Sequence, residues 1–158
     1  KKLFLHTGYN KTGSSYIQKC LTRNAAWLQQ KGVFYPPDSA RAYMQNSQHV
    51  PLAAALTGSE GSDFSRKAAG LDRAVPEFVT EAEASGCHSI VVSSEAFGAV
   101  HLGAADIARV LEGLSGFDVH VVAYVRRQDS YMAQQARACI FDHLKEQLEN
   151  VLAVDGCV

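Results

Sequence analysis

The sequence predicts an α/β fold, built as a three-layer sandwich in which helices cover a central parallel sheet. Short apolar segments typical of buried strands alternate with longer segments of helical periodicity. Glycines and prolines separate these segments, as expected of turns between strands and helices. Three of the apolar segments are followed directly by polar or charged residues. Because the carboxyl ends of parallel strands meet at one edge of a sheet, this pattern predicts a ligand-binding edge.

Each element follows from local features of the sequence. The extended segments have apolar centres and comprise residues 2–6, 32–36, 89–93 and 119–125. The helical segments carry apolar residues at helical spacing and comprise residues 14–31, 52–56, 65–84, 104–114 and 129–152. Gly32 and Gly86 follow two of these helices and are typical helix ends. Pro51 fits a first helical turn, and Asp129 fits an N-cap.

The composition is that of an ordinary globular domain. The chain has 158 residues, of which 47% are hydrophobic, and a formal net charge of -1. We therefore expect one domain with a hydrophobic core over residues 1–158. A charge so near neutral gives no reason to expect nucleic-acid binding. We also expect no membrane segment, since no apolar run approaches the roughly 18 residues of a span and no signal segment precedes the first strand.

The cysteines indicate a reducing environment. Cys20, Cys87, Cys139 and Cys157 form no C-x-x-C motif and have no metal-like spacing with histidines. We therefore expect buried free thiols, a cytoplasmic location and no metal site.

The segment from His6 to Gln18 has the features of a phosphate-binding loop. Gly8 and Gly13 bracket a loop between the first strand and the first helix. Its charged and hydroxyl-bearing residues are Lys11, Thr12, Ser14 and Ser15. Loop amides and a helix N-terminus attract anions, a lysine adds a full positive charge, and hydroxyls donate hydrogen bonds to anionic oxygens.

This loop is P-loop-like but differs from the nucleotide-binding P-loop. The glycines keep the spacing of G-x-x-x-x-G-K-[ST], yet Ser14 stands where that pattern has its lysine. The lysine, Lys11, instead comes two residues before Gly13. Lysine, threonine and glycine followed by two hydroxyl residues resemble the 5′-phosphosulfate loop of sulfotransferases. These enzymes use 3′-phosphoadenosine 5′-phosphosulfate (PAPS) as donor and release 3′-phosphoadenosine 5′-phosphate (PAP).

A second segment resembles the bacterial members of that family. Their 3′-phosphate signature is an arginine after a buried strand and a serine eight residues later. Arg126 follows the segment 119–125, within the sequence Arg-Arg-Gln-Asp that relatives also show. Gln134 takes the place of the serine. The resemblance implies that Arg126 binds the 3′-phosphate through its planar guanidinium and that the Gln134 amide donates to the same group.

The resemblance also implies an activity and further roles. The sulfuryl group would pass from PAPS to a hydroxyl or amine of a small-molecule or carbohydrate acceptor, without a metal ion. Lys11 would neutralise charge on the leaving phosphate, while Thr12, Gly13, Ser14 and Ser15 would hold the 5′-phosphate. Tyr16 stands where relatives often place an aromatic residue beside adenine, although a packing role is an equal alternative.

Two residues are candidates for the general base that takes the acceptor's proton. Glu95 follows the strand 89–93, where the cytosolic members of the family carry a histidine base. His49 is the second candidate because the ordinary pKa of histidine suits this task. Before Val50 and Pro51, however, a lone histidine is more often structural.

Several alternatives remain open at this stage. The chain lacks the C-terminal glycine-rich basic loop of the family, so it is either a C-terminally truncated chain or a protein without that loop. A kinase or NTPase would need a lysine after the second glycine and an aspartate after a neighbouring strand, neither of which is present. A non-catalytic nucleotide-binding fragment is the third alternative, and the sequence indicates neither the acceptor nor the oligomeric state.

Overall fold

The computed structural model describes residues 1–8, 12–36, 41–58, 71–99, 102–125 and 127–154. The strands are β1 (Lys2–Gly8), β2 (Val33–Phe34), β3 (Ser89–Ser93) and β4 (Asp118–Tyr124). The helices are α1 (Ser14–Arg23), α2 (Ala25–Gln30), α3 (Val50–Thr57), α4 (Leu71–Ala84), α5 (Ala96–Ala99), α6 (Ala104–Gly113) and α7 (Gln128–Val154). The chain divides into two compact units, Lys1–Tyr124 and Val125–Val158, and each is described by itself.

The first unit contains a parallel sheet flanked by helices, which confirms the predicted α/β class and central parallel sheet. Among the described residues, the strand order is β2-β3-β1-β4. All the pairings are parallel, with His6 opposite Ser93 and Gly8 opposite Tyr124. The strands therefore end at the same edge of the sheet, and the segments that follow β1 and β3 are neighbours.

The core lies between the sheet and the helices that pack on it. Leu3 and Leu5 of β1 and Ile90 and Val92 of β3 are all buried. They join helical side chains that are also buried, namely Leu52, Leu56, Ala74, Phe78, Ala82 and Val110. Apolar burial on this scale is the main force that holds strands and helices together. In the ranges that the structure describes, no helix combines the length and apolar character needed to span a membrane.

The predicted single helix over residues 14–31 is wrong. The chain forms α1 and α2 instead, with Asn24 between them. The Asn24 side-chain amide donates to the Cys20 carbonyl at 2.8 Å, and the Asn24 backbone N–H bonds to the same carbonyl at 3.1 Å. Asparagine side chains compete in this way with regular helical bonding. The apolar periodicity continues across the break, which is why the sequence pattern did not reveal it.

The other element predictions agree with the structure to within a few residues. The segment 89–93 is strand β3 with the predicted bounds. The described part of the helix predicted over residues 65–84 begins at Leu71, and residues 65–70 lie outside the described residues. Helix α5, which directly follows Glu95, was not predicted. Its four residues are too few for a periodic pattern to identify.

The prediction of buried thiols is correct for only one cysteine. Cys87 is buried, Cys20 is half-buried and Cys139 is exposed, and all of them are free. Cys139 lies on α7, most of whose described side chains are exposed, so its neighbours do not cover it. Cys157 lies outside the described residues.

Candidate functional site

The candidate site begins where the chain leaves the loop after β1 and enters α1. Gly13 is the N-cap of α1 and has φ of 96°, a left-handed conformation that glycine adopts without strain. Ser14, the first helical residue, is only 2% exposed. The first amides of a helix have no acceptors within the helix. Lys11, the predicted phosphosulfate lysine, lies outside the described residues.

The end of β1 is packed tightly against α5. A β-carbon on Gly98 would lie 2.6 Å from the Gly8 carbonyl oxygen, which is closer than any side chain tolerates. This glycine lets α5 approach the end of β1. The segment after β3, which contains Glu95, is therefore held beside the end of β1.

Ser93, at the end of β3, is the centre of a buried hydrogen-bonded group that we call the Ser93 cluster (Ser93, His6, Gln18 and His49). The Ser93 hydroxyl bonds to His6 Nδ1 at 2.7 Å and accepts from Gln18 Nε2 at 3.1 Å. The Ser93 N–H donates to His49 Nδ1 at 3.2 Å, and the His49 N–H donates to the Ser93 carbonyl at 2.9 Å. The cluster joins β1, β3, α1 and the start of α3 within the first unit.

His49 is buried in an aromatic environment. Its side chain is fully buried, and its ring lies 5.3 Å from the Tyr35 ring and 5.9 Å from the Tyr43 ring, measured between centroids. Burial lowers the pKa of His49 to about 3, so the ring is neutral at physiological pH. Because Nδ1 accepts from the Ser93 N–H, the proton is on Nε2. His49 Nε2 has no hydrogen-bond partner among the described residues, so it is the full burial of the ring that indicates a structural role.

His6 is also buried, and one of its ring nitrogens has no hydrogen-bond partner in the part of the chain that the structure describes. The Ser93 hydroxyl accepts from Gln18 Nε2 and also shares a hydrogen bond with His6 Nδ1, whose direction depends on the tautomer of His6. Among the described residues, His6 Nε2 and Gln18 Oε1 have no hydrogen-bond partner. Burial lowers the pKa of His6, and the Glu95 charge opposes that shift.

The most distinctive contact at the edge joins α1 to the segment after β3. The Ser14 hydroxyl donates a hydrogen bond to Glu95 Oε1. Glu95 is half-buried, and it forms no ion pair among the described residues. Helix α1 has no acidic residue in its first turn and no side-chain cap. A carboxylate from a neighbouring strand end is thus the anion beside this helix N-terminus.

The remaining residues of the predicted loop lie around this pair. Ser15 is exposed, Thr12 and Gly13 precede the helix, and Tyr16 is 76% exposed. Exposure on this scale rules out the alternative in which Tyr16 packs in the core of its unit. Tyr16 borders a largely apolar groove of about 580 Å³ on α1 and α2.

The predicted 3′-phosphate residues belong to the second unit or lie outside the described residues. Arg126 is one of the residues that the structure leaves out. Gln134 lies on α7 and lines a groove of about 480 Å³. The other residues of this groove are Arg127, Ser130, Ala133 and Arg137. Arg127 is paired with Asp129, while Arg137 forms no ion pair among the described residues.

The structure therefore brings together two of the residues that the sequence singled out, Ser14 and Glu95. It also reveals residues that sequence reasoning missed, Gln18 and Ser93. Gln18 stands four positions after Ser14, so both face the same side of α1. The sequence holds no local signal for either residue, because their contact joins positions 75 residues apart.

Comparisons of this chain with protein-family models, with curated proteins and with solved structures find no match. The resemblance to sulfotransferases thus rests on the loop around Gly13 and on the Arg126 segment. The contact between Ser14 and Glu95 is independent of that resemblance.

Proposed function

We propose that this protein is a PAPS-dependent sulfotransferase that moves a sulfuryl group to a hydroxyl or amine acceptor. The observation that carries the proposal is the pair formed by Ser14 and Glu95 at the edge of the parallel sheet. It combines a helix N-terminus, a hydroxyl donor and a carboxylate at the end of the neighbouring strand. The P-loop-like order of Lys11, Thr12 and Gly13 before this pair supports a phosphosulfate as the ligand.

The described residues fit the 5′ end of such a donor. The first turn of α1 has no acidic residue of its own and no side-chain cap, so its backbone amides are suited to an anionic ligand. Ser14 adds a hydroxyl, and His6 Nε2 is a buried polar atom without a partner among the described residues. When bound, PAPS would supply the activated sulfuryl group. The residues of this chain would orient the donor and neutralise its charge, and Lys11 would contribute a full positive charge there.

Glu95 is the residue that we assign as general base. Its carboxylate is half-buried at the edge, where an acceptor hydroxyl or amine could reach it. His49 is less suited to this task, because it is fully buried and its Nδ1 already accepts the Ser93 N–H. A neutral ring without access to solvent cannot exchange a proton with an acceptor.

The proposed contacts to the 3′-phosphate are assigned from the resemblance of the Arg126 segment. Gln134 lines an α7 groove that also contains two arginines, and guanidinium groups suit a phosphate because they bind two of its oxygens at once. Arg126 directly precedes this region in the sequence. We assign Arg126 and Gln134 to the 3′-phosphate and Tyr16 to the adenine ring.

The experiment that tests this function compares two nucleotides by thermal unfolding. We expect PAP to raise the melting temperature more than ADP without magnesium, because only PAP carries the 3′-phosphate. At a hundredfold excess over Kd, binding adds about 2.7 kcal/mol to the free energy of unfolding. Arg126→Ala should abolish the difference between the nucleotides. The control Arg73→Ala, on the exposed side of α4, should leave it unchanged.

Other outcomes would favour the alternative functions. Equal shifts with PAP and ADP would contradict a site that recognises the 3′-phosphate. A larger shift with ATP and magnesium than with PAP would indicate a kinase or NTPase. Binding of labelled PAPS without transfer to any of a panel of hydroxyl, amine and carbohydrate acceptors would indicate a non-catalytic nucleotide-binding protein.

A further inference from the structure

Helix α5 lies closer to the end of β1 than a side chain on residue 98 would allow. A β-carbon on Gly98 would lie 2.6 Å from the Gly8 carbonyl oxygen and 3.0 Å from the Thr7 hydroxyl oxygen. Gly98 does not have a positive φ, so its backbone conformation is open to other residues. The glycine is therefore required for the close approach of α5 and not for a special backbone conformation.

Crowding at residue 98 would move α5, because β1 is held more firmly. Strand β1 lies between β3 and β4 and pairs with both of them. Helix α5 has only four residues and packs mainly on β1 and α3. A side chain on residue 98 would thus push this short helix away from the sheet by several tenths of an ångström.

The backbone of Glu95 is tied to α5 and would move with it. Glu95 directly precedes the helix, and the Gly98 N–H donates to the Glu95 carbonyl at 2.9 Å. The Ser94 hydroxyl accepts from the Ala96 N–H at 3.2 Å, which fixes the turn from β3 into the helix. The position of α5 therefore sets the position of the Glu95 carboxylate.

Ser14, the partner of Glu95, is positioned by different contacts. It belongs to α1, which is attached to β3 through the bond from Gln18 Nε2 to the Ser93 hydroxyl at 3.1 Å. A displacement of α5 leaves this attachment in place. It would consequently change the position of Glu95 relative to Ser14 and to the N-terminus of α1.

We propose that Gly98 is a positioning residue for sulfuryl transfer, because it lets α5 contact Gly8 directly and so places Glu95 beside Ser14. This inference rests on the proposed function. As the acceptor oxygen or nitrogen forms its bond to sulfur, the bond from sulfur to the phosphate oxygen of PAPS breaks and its electron pair leaves with PAP. The acceptor's proton passes to the Glu95 carboxylate, and Gly98 acts on the reaction only through that group.

The test compares the wild-type protein with Gly98→Ala in single-turnover transfer from labelled PAPS and in PAP affinity. Transfer should fall by about 10- to 100-fold, since a misplacement of about 1 Å can cost about a hundredfold in rate. PAP affinity should stay within about twofold of the wild type, because the assigned donor contacts lie on other elements. In a Glu95→Gln background, Gly98→Ala should cause no further loss of transfer, since residues that act as one unit are not additive.

Two further glycines provide matched controls. Gly116 is exposed, and a β-carbon there would meet nothing within 4 Å, so Gly116→Ala should alter neither transfer nor stability. A β-carbon on Gly113 would clash with the Leu56 side chain, which is buried in the core. Gly113→Ala should therefore lower stability without lowering transfer by the folded protein.

The outcomes separate this inference from the proposed function. Normal transfer by Gly98→Ala, an equal loss in the Glu95→Gln background, or a parallel loss of PAP affinity would overturn the inference and leave the sulfotransferase proposal standing. If the wild-type protein transfers no sulfuryl group, the proposed function fails. Crystal structures of both proteins then test the placement, and an unchanged contact between Ser14 and Glu95 in Gly98→Ala would overturn it.

Should Gly98→Ala not fold, Phe97→Leu tests the same placement from the other side of α5. Phe97 is buried in the core, and a smaller side chain there loosens the helix without a clash. Its loss of transfer should again disappear in the Glu95→Gln background. A loss of equal size in both backgrounds would overturn the inference.

Discussion

Two hydrogen-bonded groups join α1 to the end of β3, and they differ in charge and in exposure. Gln18 bonds to Ser93 in a neutral group that is buried on all sides. One helical turn earlier, Ser14 bonds to Glu95, which is charged and half-buried. Ser14 and Gln18 lie on the same face of α1, and Glu95 follows Ser93 after one intervening residue at the end of β3. The two contacts therefore join the same two segments of the chain.

The difference distinguishes a group that fixes the geometry of this edge from a pair that is accessible to a ligand. Buried polar groups are costly when they lose a partner, so the Ser93 cluster fixes the geometry of the edge. The pair of Ser14 and Glu95 is open to solvent on one side and can exchange partners with a ligand. Substitutions in the cluster should therefore affect mainly stability, and substitutions in the pair should affect mainly binding and transfer.

The largest expected effect is on sulfuryl transfer by Glu95→Gln. The substitution keeps the shape of the side chain and removes its basicity, so the rate of transfer from PAPS should fall by roughly 10²- to 10⁴-fold, as is typical of losing a general base. PAP binding should persist, because the cofactor contacts that we assign lie in the loop and on the Arg126 segment. The rate is measured with labelled PAPS under single-turnover conditions.

His49→Asn distinguishes the two base candidates. Because His49 is fully buried, this substitution should reduce transfer only as far as it reduces the folded fraction. Normal transfer by Glu95→Gln, together with loss of transfer in a folded, PAP-binding His49→Asn protein, would reverse the assignment. Loss of the acidic limb of the pH profile of kcat/KM should accompany Glu95→Gln alone.

A smaller effect, on stability, distinguishes Ser93 from Ser14. Ser93→Ala leaves His6 Nδ1 and Gln18 Nε2 buried without a partner, which should lower the free energy of unfolding by about 2–4 kcal/mol. Ser14→Ala should cost less than about 1 kcal/mol, because its partner Glu95 is half-buried and can be hydrated. Urea unfolding at pH 7 measures both values. Equal losses would contradict the division between a structural and a functional contact.

The sequence was sufficient for the fold and for part of the site. Alternating apolar and helical segments predicted the parallel sheet, and the strand 89–93 has the predicted bounds. Ser14 and Glu95 were identified because each directly follows a strand or a glycine loop in the sequence. Their contact followed from strand ends that converge on one edge.

The site residues that the sequence did not predict depend on contacts between positions far apart in the chain. Gln18 and Ser93 are separated by 75 positions, and nothing local to either residue indicates the other. The apolar residues Ile17 and Leu21 of α1 are only half-buried, while the buried residues of that helix are Ser14 and Gln18. Polar burial of this kind is decided by the partner that the fold supplies, and a single sequence does not reveal it.

The smallest expected effect is the pH dependence of stability that the buried histidine creates. The folded-state pKa of His49 is about 3, below the ordinary value of 6.5, so the unfolded chain binds a proton between these values that the folded protein does not. Stability is therefore full above pH 6.5 and falls as the pH is lowered, by about 1–2 kcal/mol between pH 7 and pH 5. His6, whose pKa burial also lowers, contributes in the same direction.

Urea unfolding at pH 7 and pH 5 measures this loss for the wild-type protein and for His49→Gln. The variant should be less stable at pH 7, because it gives up the contacts of the imidazole ring with Tyr35 and Tyr43. It should nevertheless lose less stability on acidification, since residue 49 no longer takes up a proton on unfolding. His88→Asn, which removes an exposed histidine, should keep the wild-type slope. An identical slope in His49→Gln and in the wild type would show that His49 is not kept neutral by burial, and His49 would again be a candidate for proton transfer at this edge.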